Sequence, residues 1–217
     1  MKLFTVGHSN HSIEEFIALL HHHGVTAVAD VRSHPYSKYL PHFNQKLFQK
    51  SLLDAGIRYV FLGKELGARS NNPDCYVDGK AVYEKIASTK EFSHGIERIL
   101  QGAKNYYISL MCAEKDPITC HRAVLVCQHL RNSGLDINHI LKNGDLETHH
   151  NLEERLLELH HLKLPEQIQL SLFDDVLSSV PSITEYSKEE SLKKAYQLQG
   201  DNIAYTEKTE NQYEPIN

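Results

Sequence analysis

The sequence predicts an α/β fold: an open, mostly parallel sheet of about five strands with helices on both faces, followed by a largely disordered C-terminal tail. Three observations carry this. Apolar runs of strand length alternate with amphipathic stretches of helix length over residues 1–162, the pattern that parallel strands joined by helical crossovers require. Only five strand-like runs occur, and a closed barrel of eight strand–helix units needs about 250 residues, more than the 217 of this chain. The chemistry is also unevenly distributed. All 15 His and all four Cys precede residue 163, residues 1–162 carry 18 basic and 18 acidic side chains, and residues 163–217 carry five Lys and ten Asp plus Glu. The overall charge of −5 therefore belongs to the tail. The chain divides into a neutral α/β domain, residues 1–162, and a flexible acidic tail, residues 163–217.

Each element has a local reason. Residues 2–6 form an apolar run ending in Gly7-His8-Ser9-Asn10. Ser12 fits a helix cap, and Glu15 three positions on completes a capping box. Ile13, Phe16, Ile17 and Leu20 then line one helical face, which Gly24 closes. Residues 25–31 read as a second strand, leading into Asp30-Val31-Arg32-Ser33-His34-Pro35. Residues 44–55 are helical and stop at Gly56; residues 57–62 are a third strand, followed by Gly63 to Arg69. A long polar loop runs through Asn71-Asn72-Pro73-Asp74. Helix resumes near Ala81 and again over residues 92–100. Residues 106–111 are a fourth strand, which delivers Cys112, Ala113 and Glu114. Residues 121–132 are helix, 137–141 a fifth strand and 152–162 a closing helix. In the tail, helix is expected over residues 188–198 only.

In open parallel sheets, ligands bind at the carboxyl ends of the strands. Four of the five strands run directly into polar clusters there. His8, Ser9 and Asn10 follow the first; Asp30, Arg32, Ser33 and His34 the second; Lys64, Glu65 and Arg69 the third; Cys112, Glu114, Cys120, His121 and Arg122 the fourth. Each cluster has a bland explanation: His8 and Ser9 as a helix cap, Asp30 and Arg32 as a structural ion pair, the thiols as small buried side chains. Four at one sheet edge predict a functional cleft. His8, Asp30, Glu114, Cys112 and Cys120 are the candidate catalytic residues. Ser9, Arg32, Pro35, Arg69, His121 and Arg122 are the candidate substrate or phosphate contacts. The Cys-x7-Cys-His spacing is no standard zinc signature, so no metal site is expected, and no cofactor is named. Adjacent pairs such as His149-His150 point apart on a helix and do not chelate easily.

The segments Thr5-Val6-Gly7-His8-Ser9-Asn10, Asp30-Val31-Arg32-Ser33-His34-Pro35, Cys112-Ala113-Glu114 and Cys120-His121-Arg122 together resemble the domain of unknown function 488 family over about residues 1–160. The typical patterns are a GHS start, a DVR-x-x-P segment, and C-x-E followed by CHR, and all are kept. Leu66-Gly67-Ala68 departs from the usual Leu-Gly-Gly. The resemblance implies the fold and the location of a site, and names no reaction.

In the tail, Gln169-Leu170-Ser171-Leu172-Phe173 resembles the pentapeptide by which bacterial replication and repair proteins dock on the DNA sliding clamp. A flexible segment can lay Leu172 and Phe173 into an apolar pocket while Gln169 hydrogen-bonds at its edge; the alternative is that Leu170, Leu172 and Phe173 pack back on the body. Three functions follow. One is an enzyme acting on a nucleotide or nucleic-acid base, recruited to DNA by the clamp, with His8, Asp30 and Glu114 moving protons. A second is a thiol-dependent oxidoreductase or sulfur-handling enzyme centred on Cys112 and Cys120. The third is a non-catalytic adaptor that binds a nucleotide or nucleic acid. The lack of a signal peptide or membrane-spanning run and the sparse Cys predict a cytoplasmic protein with reduced thiols and no membrane partner.

Overall fold

The computed structural model describes residues 1–163 and 188–207. Its main sheet has six strands in the order β3-β2-β6-β1-β7-β8. These are β1 (Lys2–Gly7), β2 (Ala27–Asp30), β3 (Arg58–Phe61), β6 (Ile108–Cys112), β7 (Asp136–Ile140) and β8 (Leu146–Thr148). The first five in spatial order are parallel, and β8 is an antiparallel edge on β7. The fold class is the one the sequence predicts. The added edge strand escapes prediction because Leu146–Thr148 is three residues long and follows a tight turn.

Strand alternation sorts the core into two layers. On one face, Phe4, Val6, Val28 and Met111 meet α1 (Ile13–His22) and α2 (Gln45–Asp54) through Phe16, Leu20, Phe48 and Leu52. On the other, Leu3, Ala27, Ala29, Ile108 and Leu110 meet α5 (Lys90–Gly102), the helix that starts at Arg122, and α7 (His149–Leu159). The Ser12–Glu15 capping box of α1 is formed in both directions, at 2.9 and 3.1 Å. The helix expected over residues 121–132 is wound differently: Arg122–Cys127 is a π-helix, continued by α6 (Gln128–Leu130). Such wide turns are rare and concentrate at functional sites.

The polar loop near Asn72 contains a small hairpin, β4 (Tyr76–Val77) and β5 (Lys80–Ala81). It is followed by α4 (Tyr83–Ala87). This hairpin has a partner from the tail. The expected tail helix runs further, as α8 (Lys188–Ile203), and it is packed on the body rather than tethered to it. Leu192, Ala195, Tyr196 and Gln199 lie at helical spacing on one face and are all buried. After α8 the chain runs back along the hairpin: the Ala81 N–H donates to the Tyr205 carbonyl and the Glu207 N–H to that of Gly79, both at 2.8 Å. The boundary drawn after Leu162 therefore separates from the body a segment that belongs to its core. The polar composition of residues 188–203 hides a buried stripe of Leu192, Ala195 and Tyr196, continued by Gln199. The pentapeptide Gln169-Leu170-Ser171-Leu172-Phe173 lies outside the described residues.

From β1 the chain proceeds to β2 and β3 on one side, returns through β6 beside β1, and leaves for β7 on the other side. The strand order thus reverses between β1 and β6, the position where open α/β sheets form a crevice. Register puts Gly7 opposite Cys112 and Asp30 opposite Met111, so three strands end at one level.

Candidate functional site

A cavity of about 540 Å³ opens at these three strand ends. His8, Arg32, Arg69, Cys112, Glu114, Cys120 and His121 line it; Ser9, Asp30, Pro35 and Arg122 do not. Among its further lining residues are Ser33, His34, Tyr36, Tyr83, Ile203 and Tyr205. Ser33 and His34 continue a strand end already singled out. Tyr83 and the two tail residues become visible only once the hairpin and α8 are placed, and the stripe on α8 was the available signal for the latter.

The end of β1 is locked to the end of β6. The His8 N–H donates to the Cys112 carbonyl at 2.9 Å and the Ser9 N–H to that of Ala113 at 3.0 Å. The His8 ring stacks on Phe43 with centroids 4.3 Å apart. Its Nδ1 lies 3.0 Å from the Ser9 carbonyl and donates to it, so the lone pair of the neutral ring sits on Nε2. Burial, with help from the Arg32 charge, lowers the His8 pKa to about 4.

At the end of β2, Asp30 is fully buried and both carboxylate oxygens are occupied. Arg32 Nε donates to Oδ1 at 2.9 Å and Nη2 to Oδ2 at 2.7 Å; the Tyr59 hydroxyl donates to Oδ2 at 2.9 Å. Arg32 spends a further donor on the Phe43 carbonyl at 2.9 Å. Asp30 stands behind Arg32, away from the cavity, and orients the guanidinium that lines it. Arg122 is buried as well. It donates to the carbonyls of Glu114 at 2.7 Å and Lys115 at 3.4 Å and to Thr5 Oγ1 at 3.3 Å, fixing the loop after β6 rather than facing the cavity.

Cys112, Cys120 and His121 form a cluster. Their Sγ, Sγ and Nδ1 atoms all lie within 4.8 Å of one another, with Nδ1 at 3.7 Å from Cys112 Sγ and 3.9 Å from Cys120 Sγ. His121 Nε2 donates to the Val31 carbonyl at 2.9 Å, which leaves Nδ1 as the unprotonated nitrogen of the neutral ring, facing both sulfurs. All four Cys are free thiols; Cys75 and Cys127 are buried outside the cluster. Burial pushes the Cys120 thiol up, but the Cys112 hydrogen bond, the Arg122 guanidinium and His121 outweigh it and hold Cys120 well below the ordinary thiol range. The same hydrogen bond with Cys120, together with burial, raises Cys112. Burial lowers His121, yet its contacts with Cys120 and the Val31 carbonyl leave it raised.

The exposed side of the cavity is cationic and aromatic. The Arg69 guanidinium lies 4.1 Å over the ring of Tyr205, and the Arg69 N–H donates to Ser33 Oγ at 2.9 Å. Beneath the cavity, a chain of hydrogen bonds leads away from the site. Thr5, which accepts from Arg122, donates to His139 Nδ1 at 2.8 Å. His139 Nε2 donates to His149 Nδ1 at 3.1 Å, His149 Nε2 to the Tyr196 hydroxyl at 3.0 Å, and that hydroxyl to Glu153 at 3.1 Å. Every donor and acceptor is satisfied with both imidazoles neutral.

A model of the family described as domain of unknown function DUF488 matches residues 12–128, more than half of the chain. No curated protein and no solved structure matches. The matched stretch carries Asp30, Arg32, Arg69 and the whole run from Cys112 to Arg122, while the Gly7-His8-Ser9 segment precedes it. The chain therefore belongs to the family of the domain of unknown function DUF488.

Proposed function

We propose that this protein is an enzyme acting on a nucleotide or a nucleic-acid base bound in the cavity at the ends of β1, β2 and β6. The observation that supports it is the lining: the buried thiols and imidazoles of Cys112, Cys120, His121 and His8 on one side, and Arg69, His34, Tyr36 and Tyr205 on the open side. A volume near 540 Å³ is within the usual range of small-molecule sites. Flat rings and a guanidinium suit a base and its phosphate. Glu114 is the exposed carboxylate of the lining and takes the acid–base role, with His8 Nε2 as the second proton acceptor. Asp30 and Arg122 act as positioning residues, since neither lines the cavity and their polar atoms are engaged within the protein. The clamp-like pentapeptide supports a link to DNA repair or replication in the cytoplasm, with the sliding clamp as partner.

The test is a panel of free nucleotides and single-stranded oligonucleotides assayed for binding and turnover with the full chain. Glu114→Gln is expected to bind the active member of the panel normally and to turn it over about 10²–10⁴-fold more slowly. Undiminished turnover refutes the role of Glu114, and a panel with no binding refutes the substrate class.

A second reading has its own support. Cys120 Sγ lies within 4.8 Å of Cys112 Sγ, and the buried Arg122 guanidinium, Cys112 and His121 favour its deprotonated form, an arrangement suited to a nucleophilic thiolate. In this reading iodoacetamide modifies Cys120 rapidly in the native protein near neutral pH, and modification that needs denaturant removes it.

A further inference from the structure

We propose that Cys112 Sγ, Cys120 Sγ and His121 Nδ1 bind one divalent ion of the zinc class, with a fourth coordination position open to the cavity. The spacing argument against a metal rests on distance along the chain, and the fold cancels it. The strand end at Cys112 and the turn before the π-helix bring Cys112 Sγ and His121 Nδ1, nine positions apart, to 3.7 Å. Zinc–sulfur bonds of about 2.3 Å and zinc–nitrogen bonds of about 2.0–2.1 Å in a tetrahedron separate ligand atoms by roughly 3.5–3.8 Å. The two sulfur–nitrogen separations, 3.7 and 3.9 Å, lie within or just above that range, and the sulfur–sulfur pair lies within 4.8 Å, so small side-chain shifts suffice to take an ion.

Three further features fit. The donor set is two thiols and one imidazole, the soft ligands that select zinc over magnesium or calcium. The other nitrogen of His121 is already spent on the Val31 carbonyl at 2.9 Å, and this outer contact fixes the tautomer and ring angle that a metal ligand needs. The three side chains are mostly buried but line a cavity, so three protein ligands leave the last vertex to water or substrate, as in catalytic rather than structural sites. An ion held there supplies a Lewis acid, or a bound water acidified to a pKa of about 7. The inference goes beyond the proposed substrate class and is tested without any substrate.

The full chain is purified under reducing conditions, stripped with chelator and titrated with Zn²⁺ or Co²⁺. About one equivalent of either ion is expected to bind tightly, with Co²⁺ giving thiolate charge-transfer absorption and the strong visible bands of a tetrahedral site. Cys112→Ser, Cys120→Ser and their double variant are expected to lose more than the roughly 10–100-fold that removal of an outer contact costs. Cys75→Ala and Cys127→Ala are expected to bind as the parent does. Equal uptake by the parent and the double variant places the ion away from the two thiols and overturns the proposal. If the serine variants do not fold by circular dichroism, the parent's cobalt spectrum decides: an octahedral spectrum without charge-transfer bands, or no bound ion, overturns it.

Discussion

Gly7 occupies the closest approach between β1 and the loop after β6. A Cβ there would lie 1.8 Å from the Glu114 carbonyl oxygen and 2.8 Å from its carbon, both backbone atoms that cannot swing aside. That carbonyl is the acceptor for Arg122 Nη1. Gly7→Ala is therefore expected to lower stability by at least about 1–3 kcal/mol in denaturant titrations, the usual range for inserting a methyl into a filled space. An unchanged midpoint would show that the loop gives way freely. Residue by residue, the sequence anticipated which side chains line the candidate cavity better than it anticipated their partners. His8, Arg32, Cys112, Cys120 and His121 lie where the strand-end rule puts them. Asp30 and Arg122 illustrate the limit. Both are charged and both follow or flank strand ends, yet one is closed by Arg32 and Tyr59 and the other by backbone carbonyls. A sequence shows that a charge is present and not what neutralises it.

Among the elements, α7 and α8 are joined by polar as well as apolar contact. His149 on α7 is faced by His139 from β7, by Tyr196 from α8, and by Glu153 from its own helix, with Arg131 paired to Glu153 at 2.6 Å. Burial, with the Arg131 charge, lowers the His149 pKa from 6.5 to about 4; burial and the neighbouring His149 and Arg122 lower His139 well below its ordinary value. Above pH 6.5 both rings are neutral in the folded and unfolded chain, and the network contributes fully. As pH falls from 6.5 towards 4 the unfolded chain takes up protons that the folded chain refuses, so stability falls. Below about 4 folded His149 protonates too, and its contribution to the slope ends. For His149 alone the loss is about 3 kcal/mol. His149→Gln is expected to flatten the pH dependence of the unfolding free energy between pH 6.5 and 4. A slope identical to the parent's would assign the effect to other groups. The elements themselves were legible wherever one periodicity dominated, as in β1, α1 and α2. The hairpin at Tyr76 and the edge strand β8 were not, because two or three residues carry no period.

For the molecule as a whole, the reading of a neutral body and an acidic tail survives in charge but not in packing. Net charge reports solvation of a segment, whereas α8 is held by Leu192, Ala195 and Tyr196, too few to alter its polar average. Sliding-clamp docking remains a proposal resting on residues 169–173. The full chain is expected to be retained by immobilised clamp, and Leu172→Ala with Phe173→Ala is expected to abolish retention; equal recovery of the two forms would refute the motif. In sequence the pentapeptide stands between α7 and α8, both of which pack on the body. The placement of Ile203 and Tyr205 has a consequence in time. A chain made from its N-terminus exposes all eight strands and the thiol cluster before these two residues emerge, and the backbone bonds that Tyr205 and Glu207 make to the hairpin cannot form until then. The nascent protein thus presents Cys112 and Cys120 in an unfinished pocket, and the wall bearing Tyr205 is added only after them.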